Sequence, residues 1–147
     1  MQISSRLTVG IHTLLCVAYF QDEKVTSNFI AESVNVNPVV IRRTLGMLKA
    51  AGLVKVEAGV GGASLAKDPS EITLLDVFDA VSAVDDALFA FHDAPNPACP
   101  VGKNIHAVLD EKLELAQQAL RDDLAKTTLK DLLDEIYALN PDDYTPE

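Results

Sequence analysis

Residues 37–69 read NPVVIRRTLGMLKAAGLVKVEAGVGGASLAKDP. Asn37 is a strong N-cap type, and Pro38 suits the first helical position, where its missing N–H would have had no partner. From there Ile41, Leu45 and Leu48 recur at i, i+4 and i+7. That spacing lays one apolar stripe toward a core and leaves Val39, Arg42, Arg43 and Gly46 outward. Gly52 closes the helix, because a left-handed residue is needed just past a helix end. LVKVEA then alternates as a strand does, GVGG supplies turn glycines and ASLAK returns as a second strand. The stretch therefore predicts a short helix bearing two adjacent arginines, followed by a hairpin.

Those arginines stand in an acidic chain. The net charge is −10 over 147 residues, yet residues 1–68 carry 7 Lys/Arg against 5 Asp/Glu, and residues 69–147 carry 5 against 17. An acidic whole argues against indiscriminate nucleic-acid binding. A field is local, however, and is screened over about 8 Å at physiological salt, so the amino-terminal half can still meet a polyanion. A hydrophobic content of 48% and a mean hydropathy of +0.15 predict a globular chain, neither disordered nor membrane-embedded. Its length suits one domain, with room for an appended arm.

Upstream, NVNP makes a tight turn, Asn35 tolerating the left-handed backbone that leaves a helix. VTSNFIAESV before it reads as a two-turn helix capped by Thr26 or Ser27, with Phe29, Ile30, Ala31 and Val34 apolar. LTVGIHTLLCVAYF, residues 7–20, resembles a signal peptide only briefly, since polar residues interrupt it and no cleavage site follows. It fits a first helix with Leu7, Ile11, Leu14, Leu15 and Ala18 on its buried stripe and His12 as a partly buried packing residue. Two cysteines, Cys16 in that helix and Cys99 in a Pro-rich loop, give no disulfide framework, and a reducing cytoplasm fits.

Downstream, DPSEI opens a helix through Ser70, and ITLLDVFDAVSAV forms the fourth helix. HDAPNPACPVG reads as a loop. From Asn104 to about Lys126, Ile105, Val108, Leu109, Leu113, Ala116, Leu120 and Leu124 form one stripe about 35 Å long. Thr127 or Thr128 caps a last helix, TLKDLLDEIY, ahead of a frayed tail. The chain divides into a winged unit at 1–82, a connecting loop at 83–103, dimerisation helices at 104–137 and a flexible tail at 138–147.

This order resembles the Rrf-two family of bacterial transcription regulators over residues 1–137. The matching positions are Ile30-Ala31, Leu48, Ala51-Gly52-Leu53-Val54, Gly59, Gly61, Gly62, Leu65-Ala66-Lys67-Asp68-Pro69, Ile72 and Val77. The likeness is closest to a branch without the family's cluster cysteines. It implies a mainly α protein with a small β wing: a winged helix-turn-helix homodimer, paired through its long carboxy-terminal helix, acting as a repressor on a near-palindromic double-stranded DNA operator. It places DNA-facing residues at Arg6, Ser27, Asn28, Asn37, Val39, Arg42, Arg43, Lys55, Gly61 and Gly62. The residues agree independently, because major-groove readers present the amino end of a helix to base edges, where arginine bonds guanine bidentately.

Three departures bear on function. Cluster-bearing relatives have acidic or amide residues where this chain has Arg42 and Arg43, so no operator carries over. Many relatives place an arginine before the wing glycines, where Glu57-Ala58 stands here with only Lys55 nearby. Cluster-binding relatives also carry three cysteines in the loop that here holds Cys99 alone, with His92 and His106 as the other soft ligands; an iron–sulfur cluster needs three or four thiolates or their substitutes. No cofactor or metal is expected, and Cys99 is left as a lone-thiol redox sensor or an incidental cysteine. No Lys-Ser/Thr pair follows the glycines to make a phosphate loop, and no catalytic dyad has an orienting partner. An enzyme is not expected. The rival reading is a winged-helix module for protein partners, favoured by the acidic carboxy-terminal half.

Overall fold

The computed structural model describes residues 5–57, 62–81, 89 and 92–141. Two capped helices make its helix-turn-helix. Thr26 Oγ1 accepts the N–H of Phe29 at 3.2 Å to open α2 (Ser27–Val34), and Asn37 Oδ1 accepts the N–H of Val39 at 2.9 Å to open α3 (Pro38–Ala50). Between them Asn35 turns the chain with φ 63°. Gly52 leaves α3 at φ 78°, as read from the sequence.

The first helix, α1 (Arg6–Tyr19), packs against α3 but is rotated from the expected face. Leu14 and Ala18 are buried, together with Gly10, Thr13, Cys16 and Val17, whereas Leu7, Ile11 and Leu15 are only half-buried. Small residues decide this. A Cβ on Gly10 would lie 3.0 Å from Val81 and 3.1 Å from Val77, so glycine lets the fourth helix close on α1 where leucine could not.

The wing is an antiparallel pair, β1 (Val54–Glu57) and β2 (Gly62–Leu65), with Val54 opposite Leu65 and Glu57 opposite Gly62. Alternation holds only at its root: Val54 is buried but Val56 is exposed, because the ribbon leaves the body after its first residue. The root is tied down by Ala63 N–H to the Val25 carbonyl at 2.8 Å and Ala66 N–H to that of Leu53 at 3.0 Å.

Ser70 does not open the fourth helix. Asp68 caps a single 3-10 turn, Pro69–Glu71, and α4 (Leu74–Ala80) starts at Thr73, which forms a reciprocal capping box with Asp76. That box satisfies two backbone donors at once, more than the Asp68 turn offers. The expected continuation through residues 82–84 lies outside the described residues.

The long helix α5 (Pro100–Leu124) begins four residues before Asn104, because Pro100 takes the first helical position and the loop ends at Cys99. None of its residues is buried. Its carboxyl end is clasped to α4, Arg121 donating to both carboxylate oxygens of Asp79 at 2.8 and 3.1 Å. The last helix, α6 (Leu129–Leu139), starts on a second capping box, Thr128 with Asp131. The two boxes lie side by side: Thr73 and Thr128 form an isolated antiparallel bridge, flanked by Leu129 N–H to the Ile72 carbonyl at 2.8 Å. Leu129 and Leu133 thus join Leu14, Ile30, Ile41, Leu48, Ile72 and Val77 in one core. Residues 142–147 of the expected tail lie outside the described residues.

Candidate nucleic-acid interface

Burying Ile41, Leu45 and Leu48 turns the opposite face of α3 to solvent. Val39 at its amino end is 47% exposed, and Arg42 and Arg43 are both exposed. Among the described residues neither arginine enters an ion pair, whereas Arg121 and Lys130 in the acidic half are tied to Asp79 and Asp134. Two free guanidinium groups are thus presented one turn into a capped helix.

Between α3, the wing and the start of α2 lies a groove of about 430 Å³. Ser27, Arg42 and Gly62 line it, so three of the sequence candidates converge there. Thr26, Gly46, Lys49, Val56 and Glu57 line it too. Lys49 escaped the sequence reading, although it stands seven residues after Arg42 and therefore shares its face. Glu57 puts one carboxylate among these cations.

The remaining candidates are placed differently. Val39 and Arg43 on α3 and Asn37 at its N-cap do not line the groove, and the Asn37 side-chain Oδ1 is committed to the cap. Asn28 is exposed on α2 beside Ser27. Lys55 is exposed on β1 opposite Ser64 and does not line the groove. Arg6 is half-buried at the first position of α1, also away from it. Gly61 lies outside the described residues. Gly62 has an internal reason to be glycine: its φ is 81°, and a Cβ would stand 3.0 Å from the Val25 carbonyl oxygen.

Cys99 is exposed at the N-cap of α5, where the nearby backbone N–H groups of Gly102 and Val101 favour the thiolate and hold its thiol below the usual range. His106 Nδ1 lies 3.0 Å from Asp110 Oδ1, and its ring stacks on His92 with centroids 5.7 Å apart. Cys16 is buried in α1, and burial pushes its thiol up despite a hydrogen bond with Ser33. His12 is half-buried as expected, its Nε2 2.8 Å from Ser33 Oγ.

With this geometry in view, the comparisons agree with one another. The Rrf2 family model, described as an iron-dependent transcriptional regulator, matches residues 3–135. YwnA of Bacillus subtilis (strain 168), a proposed HTH-type transcriptional regulator, is 49% identical over 135 residues, covering 92% of this chain and 99% of YwnA. A crystal structure of a proposed DNA-binding protein is 45% identical, covers 88% of this chain and 99% of its own, and superposes with a TM-score of 0.70. CymR, the global cysteine regulator of B. subtilis, shares the fold at 23% identity with a TM-score of 0.66, over 99% of both chains.

The family description names iron, but the residues here do not fit an iron centre. The loop offers one thiol and the His92 imidazole, the neighbouring His106 on α5 is engaged by Asp110, and Cys16 is enclosed in the core. Among the described residues no three His, Cys, Asp or Glu side chains come together to hold a metal. No helix among them is long and apolar enough to cross a membrane.

Proposed function

Because the chain belongs to the Rrf2 family of transcription regulators, we propose that it is a cytoplasmic homodimeric repressor that reads a near-palindromic double-stranded DNA operator through α3. The observation that carries this reading is the pair of exposed arginines, without an ion pair among the described residues, one turn into a helix whose amino end Asn37 and Pro38 fix. Arginine there can bond a guanine edge or a phosphate, and the field it needs is local, so the acidic carboxy-terminal half does not cancel it. That half instead lowers affinity for arbitrary polyanions and sharpens discrimination.

Dimer formation is supported by α5. It leaves Val101, Val108 and Leu115 exposed at 69%, 56% and 64%, all close to one line along the helix at a seven-residue spacing. Ile105, Leu109, Leu113, Leu120 and Leu124 continue the apolar arc and are only half-buried. Apolar surface this extensive on one helix favours a partner, and a two-fold pair of α5 helices would present two α3 helices to two half-sites.

Selection of bound duplexes from a random-sequence DNA pool tests the proposal, followed by titration at several salt concentrations. An enriched inverted repeat with salt-sensitive affinity is expected. No enrichment and no salt-dependent binding would overturn it in favour of a module for protein partners.

A further inference from the structure

We propose that the cleft between α1, the carboxyl end of α2 and α6 is a binding site for a small uncharged molecule built on aromatic rings and carrying a hydroxyl group. The inference goes beyond DNA recognition and stands whether or not α3 meets DNA.

The apolar residues that α1 withholds from the core mark the place. Ile11 and Leu15 are only half-buried, yet they are not scattered over the surface. With Tyr19 they follow one another at four-residue steps along one side of α1 and line a cleft of about 660 Å³, which Ile136 of α6 lines too. That volume falls within the range of pockets that hold small ligands. The aromatic part of the wall is held in place by its own contacts. Tyr19 stacks on Tyr137 with ring centroids 5.1 Å apart and meets Phe20 edge-on at 4.8 Å, so the two lining rings, Tyr19 and Phe20, are fixed.

A polar cluster supplies the anchor. His12 Nε2 lies 2.8 Å from Ser33 Oγ, and the Cys16 thiol borders the same hydroxyl. A hydroxyl has one donor and two acceptor positions, so with His12 and Cys16 as partners Ser33 keeps one for a ligand. Among the described residues the lining includes no Lys, Arg, Asp or Glu, and Thr8 and Asn140 add only neutral polar groups. A charged ligand would give up water there for little in return, whereas rings find apolar and aromatic walls and a hydroxyl finds Ser33. Ser33 lies on α2 two residues before the Asn35 turn, so the occupant touches the helix-turn-helix itself.

The full-length chain has no tryptophan, which suits fluorescence titration with 2-naphthol and its carboxylate counterpart 2-naphthoate at pH 8, where imidazole is ordinarily uncharged. Saturable binding of 2-naphthol at one site per chain is expected, with a Kd on the order of 100 μM, and 2-naphthoate at least about tenfold weaker. Ser33→Ala, at an exposed helix position, loses one hydrogen bond and weakens 2-naphthol about fivefold. Ile136→Phe fills the cleft and abolishes binding, with circular dichroism reporting whether each variant is folded; should Ile136→Phe not fold, Ser33→Ala alone decides. No saturable binding by the parent, binding that either folded variant keeps at the parent's strength, or 2-naphthoate binding as tightly as 2-naphthol overturns the proposal.

Discussion

Replacing Arg42 and Arg43 by alanine one at a time separates affinity from specificity. Arg42 lines the groove beside the wing, whereas Arg43, one residue on and about 100° round the helix, does not. Arg42 is therefore expected on a phosphate and Arg43 on a base edge. Each phosphate contact contributes about 0.9 to the slope of log affinity against log salt, and the proposed homodimer would lose two of them, so Arg42→Ala flattens the slope by about 1.8. Between 50 and 200 mM salt the parent's affinity then falls about 12-fold further than the variant's. Arg43→Ala instead costs about 1–3 kcal/mol against the preferred base and relaxes choice at one position of each half-site. Both side chains are exposed, so melting temperatures stay near the parent's. Anisotropy titrations against the selected duplex and its single-base variants read both effects. If Arg42→Ala relaxes a base preference at unchanged slope while Arg43→Ala weakens all sequences alike, the assignment is wrong.

Val108→Glu, on an exposed position of α5, is expected to yield a folded monomer at micromolar concentration; sedimentation that still shows a dimer rejects the α5 interface. Asn37→Ala removes the cap of α3 and should lower stability by about 1 kcal/mol in thermal or urea unfolding. The Cys99 thiol is held below its usual range, so its thiolate persists to lower pH, and iodoacetamide should alkylate it at pH values where a free cysteine peptide reacts slowly. Cys16, pushed the other way, should resist until the protein unfolds. If Cys99 is a redox sensor and not an incidental cysteine, it must account for any oxidant-dependent release of DNA, so release that survives in Cys99→Ser rejects that role.

Local chemistry made the helix-turn-helix legible. Asn35, Asn37, Pro38 and Gly52 each state a backbone requirement within a residue or two, and the structure honours all four. Where tertiary contact decides, the sequence misleads. The apolar arc of α1 is wide enough for several faces, and Gly10, by leaving room for Val77 and Val81, sets the one that is buried. Two polar residues, Ser70 and Thr73, compete to start α4; only Thr73 has an acid three residues on at Asp76. Pro100 reads as a loop proline beside Pro95 and Pro97, yet proline also begins helices, as it does here. The groove was the least legible feature, since it joins residues from 25 to 63 that no local pattern connects.

The clasp between Arg121 and Asp79 has a mechanical meaning. Both side chains are partly solvated, at 34% and 51% exposed, so the pair adds little to stability. Yet it sits near the root of a 25-residue helix whose other end, at Pro100, lies about 32 Å away. A tilt of about 5° at that root moves the far end by about 3 Å, close to the rise of one base pair. In the proposed dimer α5 is a lever arm, and this two-oxygen fastening sets the tolerance of the half-site spacing: with Arg121 shortened to alanine, operators lengthened or shortened by a base pair would be penalised less.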